Sequence, residues 1–219
     1  MREVRKAMEN PDLFEGDIVL PNGRNALPTD TRRWANGVIP YVVDPSANDA
    51  KHTIEQAIQH YNQHTCIRFK HRTNEKDYVR FFKGNGCFSM VGRMGNGKQD
   101  ISLGNGCNYL STAVHEMMHA IGFWHEHSRS DRDNYIQVHY ENIKQDLHAQ
   151  FVKLKPNENR LFVPFDFTSV MLYGPTAFSF NGKVTVSSKI AGKQVKNHPL
   201  NQGLSGSDID AIKKLYHCK

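Results

Sequence analysis

His115, Glu116 and His119 stand in the pattern H-E-x-x-H, a spacing that puts two imidazoles one helical turn apart on the same face. Two imidazoles so placed can grip one metal ion. Glu116, next to the first histidine, projects beside such an ion rather than onto it, where its carboxylate can take a proton from metal-bound water. Five residues alone are weak ground, because histidines on a partly apolar helix are often only packed or hydrogen-bonded. The string from His115 to His125 is far more specific, since it adds Gly122 and a third histidine at the required spacing. A helix running on past Gly122 would carry His125 away; a left-handed turn, cheap only for glycine, swings it back as third ligand. Three neutral nitrogens leave one position open, as in catalytic rather than structural zinc sites. Zinc held this way lowers the pKa of a bound water to about 7 and polarises a peptide carbonyl.

Those residues need a helix, and 111–121 supplies one: Ala113, Val114, Met117, Met118 and Ile121 form a broad apolar face that stops at Gly122. Ahead of it, Val38 to Val43 reads as a strand. Asp44-Pro45-Ser46 then opens a helix on which Ile54, Ala57, Ile58 and Tyr61 repeat at helical spacing. Strands are predicted at Ile67 to Lys70, Tyr78 to Phe82, Cys87 to Val91 and Asp100 to Leu103, parted by clusters of Gly and Asn. The edge strand is expected near Asp100 to Gly104, where an extended peptide could add by strand pairing. Beyond the zinc string come a helix from Asn142 to Leu154, an irregular stretch around Ser169 to Gly174, and a serine-capped last helix from Ser207 to His217. Residues 1 to 24 are polar, carry Pro11, Gly16, Pro21 and Gly23, and show no sustained period.

With 38% hydrophobic and 23% charged residues in 219, the chain has the makings of one sizeable core and falls outside the disordered and membrane classes. No run approaches the roughly 20 apolar residues of a membrane span. The start, Met1-Arg-Glu-Val-Arg-Lys, lacks the apolar core of a signal peptide, so any export signal is expected to have been removed, and Met1 need not be native. The net charge of +6 is spread among acidic residues with no dense basic run, which argues against nucleic acid as a partner. Cys66, Cys87, Cys107 and Cys218 are even in number and contain no C-x-x-C pair, so two disulfides and secretion into the extracellular space are expected. Spacing leaves all three pairings open.

The zinc string, followed by Glu126 and by Ser128-Arg129-Ser130-Asp131-Arg132-Asp133, resembles the metzincin peptidases and, among them, the astacins, in which glutamate follows the third histidine. Ser169-Val170-Met171-Leu172-Tyr173-Gly174 resembles the astacin Met-turn, and Trp34 to Tyr41 the start of the astacin catalytic domain. The resemblance runs from about Phe14 to Cys218. It implies an α+β, two-lobed catalytic domain: a twisted, mostly parallel sheet with an antiparallel edge strand and helices above the cleft, and an irregular lower lobe ending in a C-terminal helix. It implies Met171 as a hydrophobic floor beneath the metal and Tyr173 as a further zinc ligand able to swing off and stabilise an oxyanion. It also implies the pairings Cys66 with Cys218 and Cys87 with Cys107.

Phe14-Glu15-Gly16-Asp17-Ile18 resembles the astacin propeptide motif, whose aspartate binds the zinc and displaces its water. Asp17 would be the latch, and Gly16 would let the backbone approach the ion. The organisation implied is an inhibitory propeptide, residues 1–24, and a catalytic domain, residues 25–219. Arg24-Asn25 lies in a Pro-Asn-Gly turn of the kind proteases nick, so a trypsin-like enzyme is the expected activator. The new amino group of Asn25 would then reach Glu126. The function implied is that of a secreted, monomeric zinc endopeptidase acting on proteins or peptides, kept latent until cut. Two rivals are weaker: a non-catalytic binding module, against which intact Glu116 argues, and a zinc aminopeptidase, against which His125 argues. A short stretch between Phe180 and Asn201 looks trimmed, which leaves subsite preference open.

Overall fold

The computed structural model describes residues 6–20 and 32–218, so the expected cleavage site at Arg24 and Asn25 lies outside the described residues. Strands β1 (Val38–Val43), β2 (Arg68–His71), β3 (Tyr78–Phe82), β4 (Cys87–Phe88) and β5 (Lys98–Leu103) form one sheet in the order β2-β1-β3-β5-β4. All neighbours are parallel except β4, which runs antiparallel to β5. The sheet alternates as its sequence demands: in β3 Val79 and Phe81 are buried while Tyr78, Arg80 and Phe82 are partly exposed.

Helices α1 (Lys51–His64) and α2 (Leu110–Ala120) pack on this sheet. α1 buries Ile54, Ala57, Ile58 and Tyr61, the stripe expected of an amphipathic helix. Asp44 accepts a hydrogen bond from the Ser46 amide, as a capping residue should, yet a 3-10 turn over Pro45–Ala50 intervenes before α1 begins. α2 is buried along nearly its whole length, because it lies between the upper core and the loops below. Three long polar side chains hold it by its carbonyls: Tyr61 donates to Val114, Trp34 to Ala120 and Tyr216 to Ile121. Those ties set the position of the helix that carries His115 and His119.

The lower lobe has its own smaller core around Ile136, Phe151, Phe165, Tyr173, Phe178 and Val186, with the short pair β6 (Ile136–Val138) and β7 (Val186–Ser188). Helix α3 (Gly206–Tyr216) closes the chain behind a capping box between Ser205 and Asp208. Disulfides join Cys66 to Cys218 and Cys87 to Cys107, the pairing the family resemblance implies; the first ties α3 to the start of β2. The architecture is the α+β fold expected, two-lobed with a mostly parallel sheet and an antiparallel edge.

Two expectations need correction. The sheet edge is not at Asp100–Gly104: β5 is paired on both sides, with β3 along its length and with β4 at Ser102 and Leu103, so the edge strands are β2 and, on the side of the zinc helix, β4 with the residue after it, Ser89. The pairing of a short strand depends on residues far along the chain, which local pattern does not encode. The helix expected from Asn142 to Leu154 is instead a 3-10 turn over Gln145–Phe151. Ile143 is extended and bridges Ser179, and Val152 is extended again, which leaves too few residues for an α-helix.

Candidate metal centre

α2 delivers His115 and His119 on one face, and Gly122 ends it with φ of +116°, a conformation open to glycine and strained for other residues. After that turn His125 is extended, and the amide of Glu126 donates to Met171 O at 2.9 Å, which fixes the returning strand of chain. Each imidazole then points a defined nitrogen inward. His115 Nδ1 donates to Val170 O at 2.8 Å and His119 Nδ1 to Phe123 O at 2.7 Å, while His125 Nδ1 donates to Glu15 Oε2 at 2.7 Å. The Nε2 atoms are left facing one another.

Asp17 completes the group. Its carboxylate lies 3.1 Å from His115 Nε2, 3.5 Å from His119 Nε2 and 3.3 Å from His125 Nε2, and the Nε2 atoms of His115 and His125 are 3.2 Å apart. Four donors held about 2.0–2.1 Å from one ion at tetrahedral angles stand about 3.3–3.4 Å from each other. The spacing therefore fits a single zinc-sized ion, and three imidazoles with one carboxylate are the donor types such an ion takes. His119 Nε2 and Asp17 Oδ1 are buried with no hydrogen-bond partner, as are both carboxylate oxygens of Glu116 beside them. Buried polar atoms without partners are rare, and a bound cation at this point would satisfy His119 Nε2 and Asp17 Oδ1.

The segment that carries Asp17 runs along the β4 edge of the sheet. Ser89 donates to Asp17 O at 2.9 Å and Val19 donates to Ser89 O at 2.9 Å, in parallel with the chain beyond β4. Phe14 and Ile18 exchange two backbone hydrogen bonds, which folds residues 14–18 into a tight hairpin, and the Phe14 ring meets Trp124 edge-on at 5.8 Å. Gly16 is also required by its protein surroundings. Its φ is +78°, and a Cβ there would lie 2.5 Å from Met8 O and 2.8 Å from the Phe178 ring, so the crowding comes from this segment and the lower lobe.

Burial works against charge throughout the group. It would raise Asp17, yet the imidazoles of His125, His115 and His119 outweigh it and hold the carboxyl well below the usual range. Burial pushes His119 down to about 4, against the pull of Asp17. Burial also lowers His125, but Asp17 and Glu15 reverse this and lift it to about 9. Glu116 is raised well above an ordinary carboxylate by burial, with Asp17 adding to the effect.

Met171 is buried in the upper core directly after Val170, whose carbonyl holds His115. Tyr173 stacks on His127 with centroids 3.6 Å apart and donates its hydroxyl to Glu15 O at 2.6 Å. Glu126 accepts from Arg129 at 2.9 Å and from the Asp166 amide at 2.8 Å, and burial lifts its carboxyl to about 7 against the opposing charge of Arg129. The residue expected to reach it, Asn25, lies outside the described residues. Sequence reasoning passed over Glu15, His127 and Asp208. Glu15 stands inside the very motif that carries Asp17, and His127 lies two residues past the third histidine; nothing local marks either as buried.

Residues 26–217 match the family model described as Astacin, a peptidase family. The chain is 42% identical over 238 residues to zinc metalloproteinase nas-6 of Caenorhabditis elegans, covering all of this chain and 67% of that protein. It is 41% identical over 212 residues to meprin A subunit beta of Rattus norvegicus, covering 94% of this chain but only 30% of that protein's length. Among solved structures it is similar to high choriolytic enzyme 1, a hatching enzyme zinc-protease from Oryzias latipes, with a TM-score of 0.74 and 36% identity. That match covers 92% of this chain and 99% of the other.

Proposed function

This chain belongs to the astacin family of zinc metalloendopeptidases, and from that premise we propose that it is the latent form of a secreted endopeptidase, held inactive by Asp17. The observation that carries the reading is the convergence of the Asp17 carboxylate and the three Nε2 atoms. His115, His119 and His125 would hold zinc. When bound, the ion supplies Lewis acidity: it makes a water nucleophilic at neutral pH and polarises the carbonyl that is attacked. Glu116 takes the proton from the attacking water and passes it to the leaving amine. Tyr173, once released from Glu15, donates its hydroxyl to the oxyanion that develops on the carbonyl. A protein or peptide substrate lies extended along the Cys87–Ser89 edge, which residues 17–19 occupy here.

On this reading residues 1–24 are an inhibitory propeptide and residues 25–219 the catalytic domain, an assignment supported by a family match that begins at residue 26. Asp17 fills the place in front of the histidines where a scissile carbonyl must come. A trypsin-like protease cuts after Arg24, the segment leaves the edge, and the amino group of Asn25 joins the partly buried Glu126 beside Arg129. Two disulfides support passage through an oxidising compartment. No helix among the described residues is long and apolar enough to cross a membrane. The active species is a monomer with protein or peptide substrates as its partners. Limited trypsin digestion with N-terminal sequencing, run beside a casein assay, tests the scheme. Activity should appear together with an Asn25 terminus and not before it. Full activity of the uncleaved wild type would refute the latch.

A further inference from the structure

An imidazole that offers Nε2 to a metal must donate through Nδ1, and the acceptor of that hydrogen bond sets the ring's orientation and its strength as a donor. Two of the three acceptors here, Val170 O and Phe123 O, are backbone carbonyls of the catalytic domain. The third is the carboxylate of Glu15, 2.7 Å from His125 Nδ1, and it lies on the other side of the Arg24 cleavage site. Glu15 has costly features. Its side chain is fully buried, and its φ of +47° lies in the left-handed region, where a residue bearing a Cβ is strained by about 1–2 kcal/mol. The same residue accepts the Tyr173 hydroxyl on its carbonyl at 2.6 Å, so it holds two side chains of the site at once. A buried, strained carboxylate persists only where its contacts compensate, and its side chain meets His125 at 2.7 Å, with Ser128 also beside it.

We propose that Glu15 is a metal-positioning residue lent by the N-terminal segment, so that the uncleaved chain retains zinc more tightly than the cleaved enzyme does. The inference rests on the reading above, in which the three histidines hold zinc and residues 1–24 depart. Asp17 acts as a direct donor, whereas Glu15 acts through His125 by fixing its ring and making Nε2 the stronger donor. Activation therefore removes two supports together, and His125 alone among the three histidines loses the acceptor of its Nδ1 proton. The mature enzyme becomes the form from which a chelator strips metal first.

The test follows zinc release from the uncleaved, zinc-loaded protein into excess 4-(2-pyridylazo)resorcinol, with wild type, Glu15→Gln, Glu15→Ala and Asp17→Asn compared, and with trypsin-cleaved wild type as reference. Loss of a carboxylate behind a metal-bound histidine costs about 10–100-fold in metal affinity. Glu15→Gln, which keeps the side chain's volume, should release zinc about tenfold faster than wild type, and Glu15→Ala faster still. The rise in melting temperature that zinc gives over the metal-free protein should shrink in both, a change that loss of packing alone would not produce. Release from Glu15→Gln within twofold of wild type would overturn the inference while leaving the latch intact. A wild-type chain that binds no zinc would overturn the metal reading and this inference with it.

Discussion

Asp208 connects the C-terminal helix to the metal site, and replacing it with alanine should cost more than any other single change at the start of that helix. Its carboxylate accepts from Ser169 Oγ at 2.6 Å, from the Val170 amide at 3.1 Å and from the Ser205 amide at 2.9 Å. In Asp208→Ala the serine hydroxyl can turn elsewhere, but the buried amide of Val170 loses its acceptor, at about 1–3 kcal/mol, and the half-buried amide of Ser205 loses its own at the lower end of that range. Burial raises the Asp208 carboxyl above the usual range, so part of that cost is offset by no longer burying a charge. The net expectation is about 3 kcal/mol, or roughly 6–12 °C in melting temperature for a domain of this size. Ser205→Ala removes only the cap on the Asp208 amide and a hydroxyl bond to Asp166, and should cost about 1 kcal/mol. Thermal melts of the metal-free protein keep metal binding out of the comparison. The reasoning fails if Asp208→Ala melts within about 2 °C of wild type, a shift worth about 0.5–1 kcal/mol, or if Ser205→Ala proves the worse of the two. Because Val170 O holds His115, the same substitution should also loosen that imidazole.

Glu116→Gln should keep stoichiometric zinc but lower turnover of the cleaved enzyme about 10³-fold, the range for loss of a general base; metal analysis beside a peptide assay checks both halves. Gly122→Ala has room for its methyl, with Leu215 Cδ2 at 3.6 Å, but must hold φ of +116°; denaturant titration should show a loss of about 2 kcal/mol and zinc binding should weaken as His125 is displaced. Removing the Cys66–Cys218 disulfide, with a separation of 152 residues, should cost about 5 kcal/mol. The Cys87–Cys107 disulfide, with a separation of 20, should cost about 3; double serine variants in urea give the order, and the reverse order would count against the chain-entropy account.

The zinc string was readable because its geometry is local: a spacing of four on a helix places two imidazoles together, and one glycine turns the third back. The strands β1 and β3 and the three helices were readable for the same reason, each carrying its own period of apolar residues. The β4 edge of the sheet was not, since that strand is two residues long and is defined only by pairing with β5. Gly16 was recognised as necessary, but the groups that require it, Met8 and Phe178, come from a neighbouring turn and from the distant lower lobe. Glu15 was given no role because its burial depends on His125 and Tyr173, 110 and 158 residues away. Local chemistry shows in sequence; contacts made by the fold do not.

The central claim concerns four side chains and one ion, and anomalous diffraction at the zinc edge from crystals of the uncleaved protein tests it most directly. One strong peak should lie about 2.0–2.2 Å from Nε2 of His115, His119 and His125 and from a carboxylate oxygen of Asp17. A peak that excludes His125, or an Asp17 carboxylate turned away from the ion, would contradict the account.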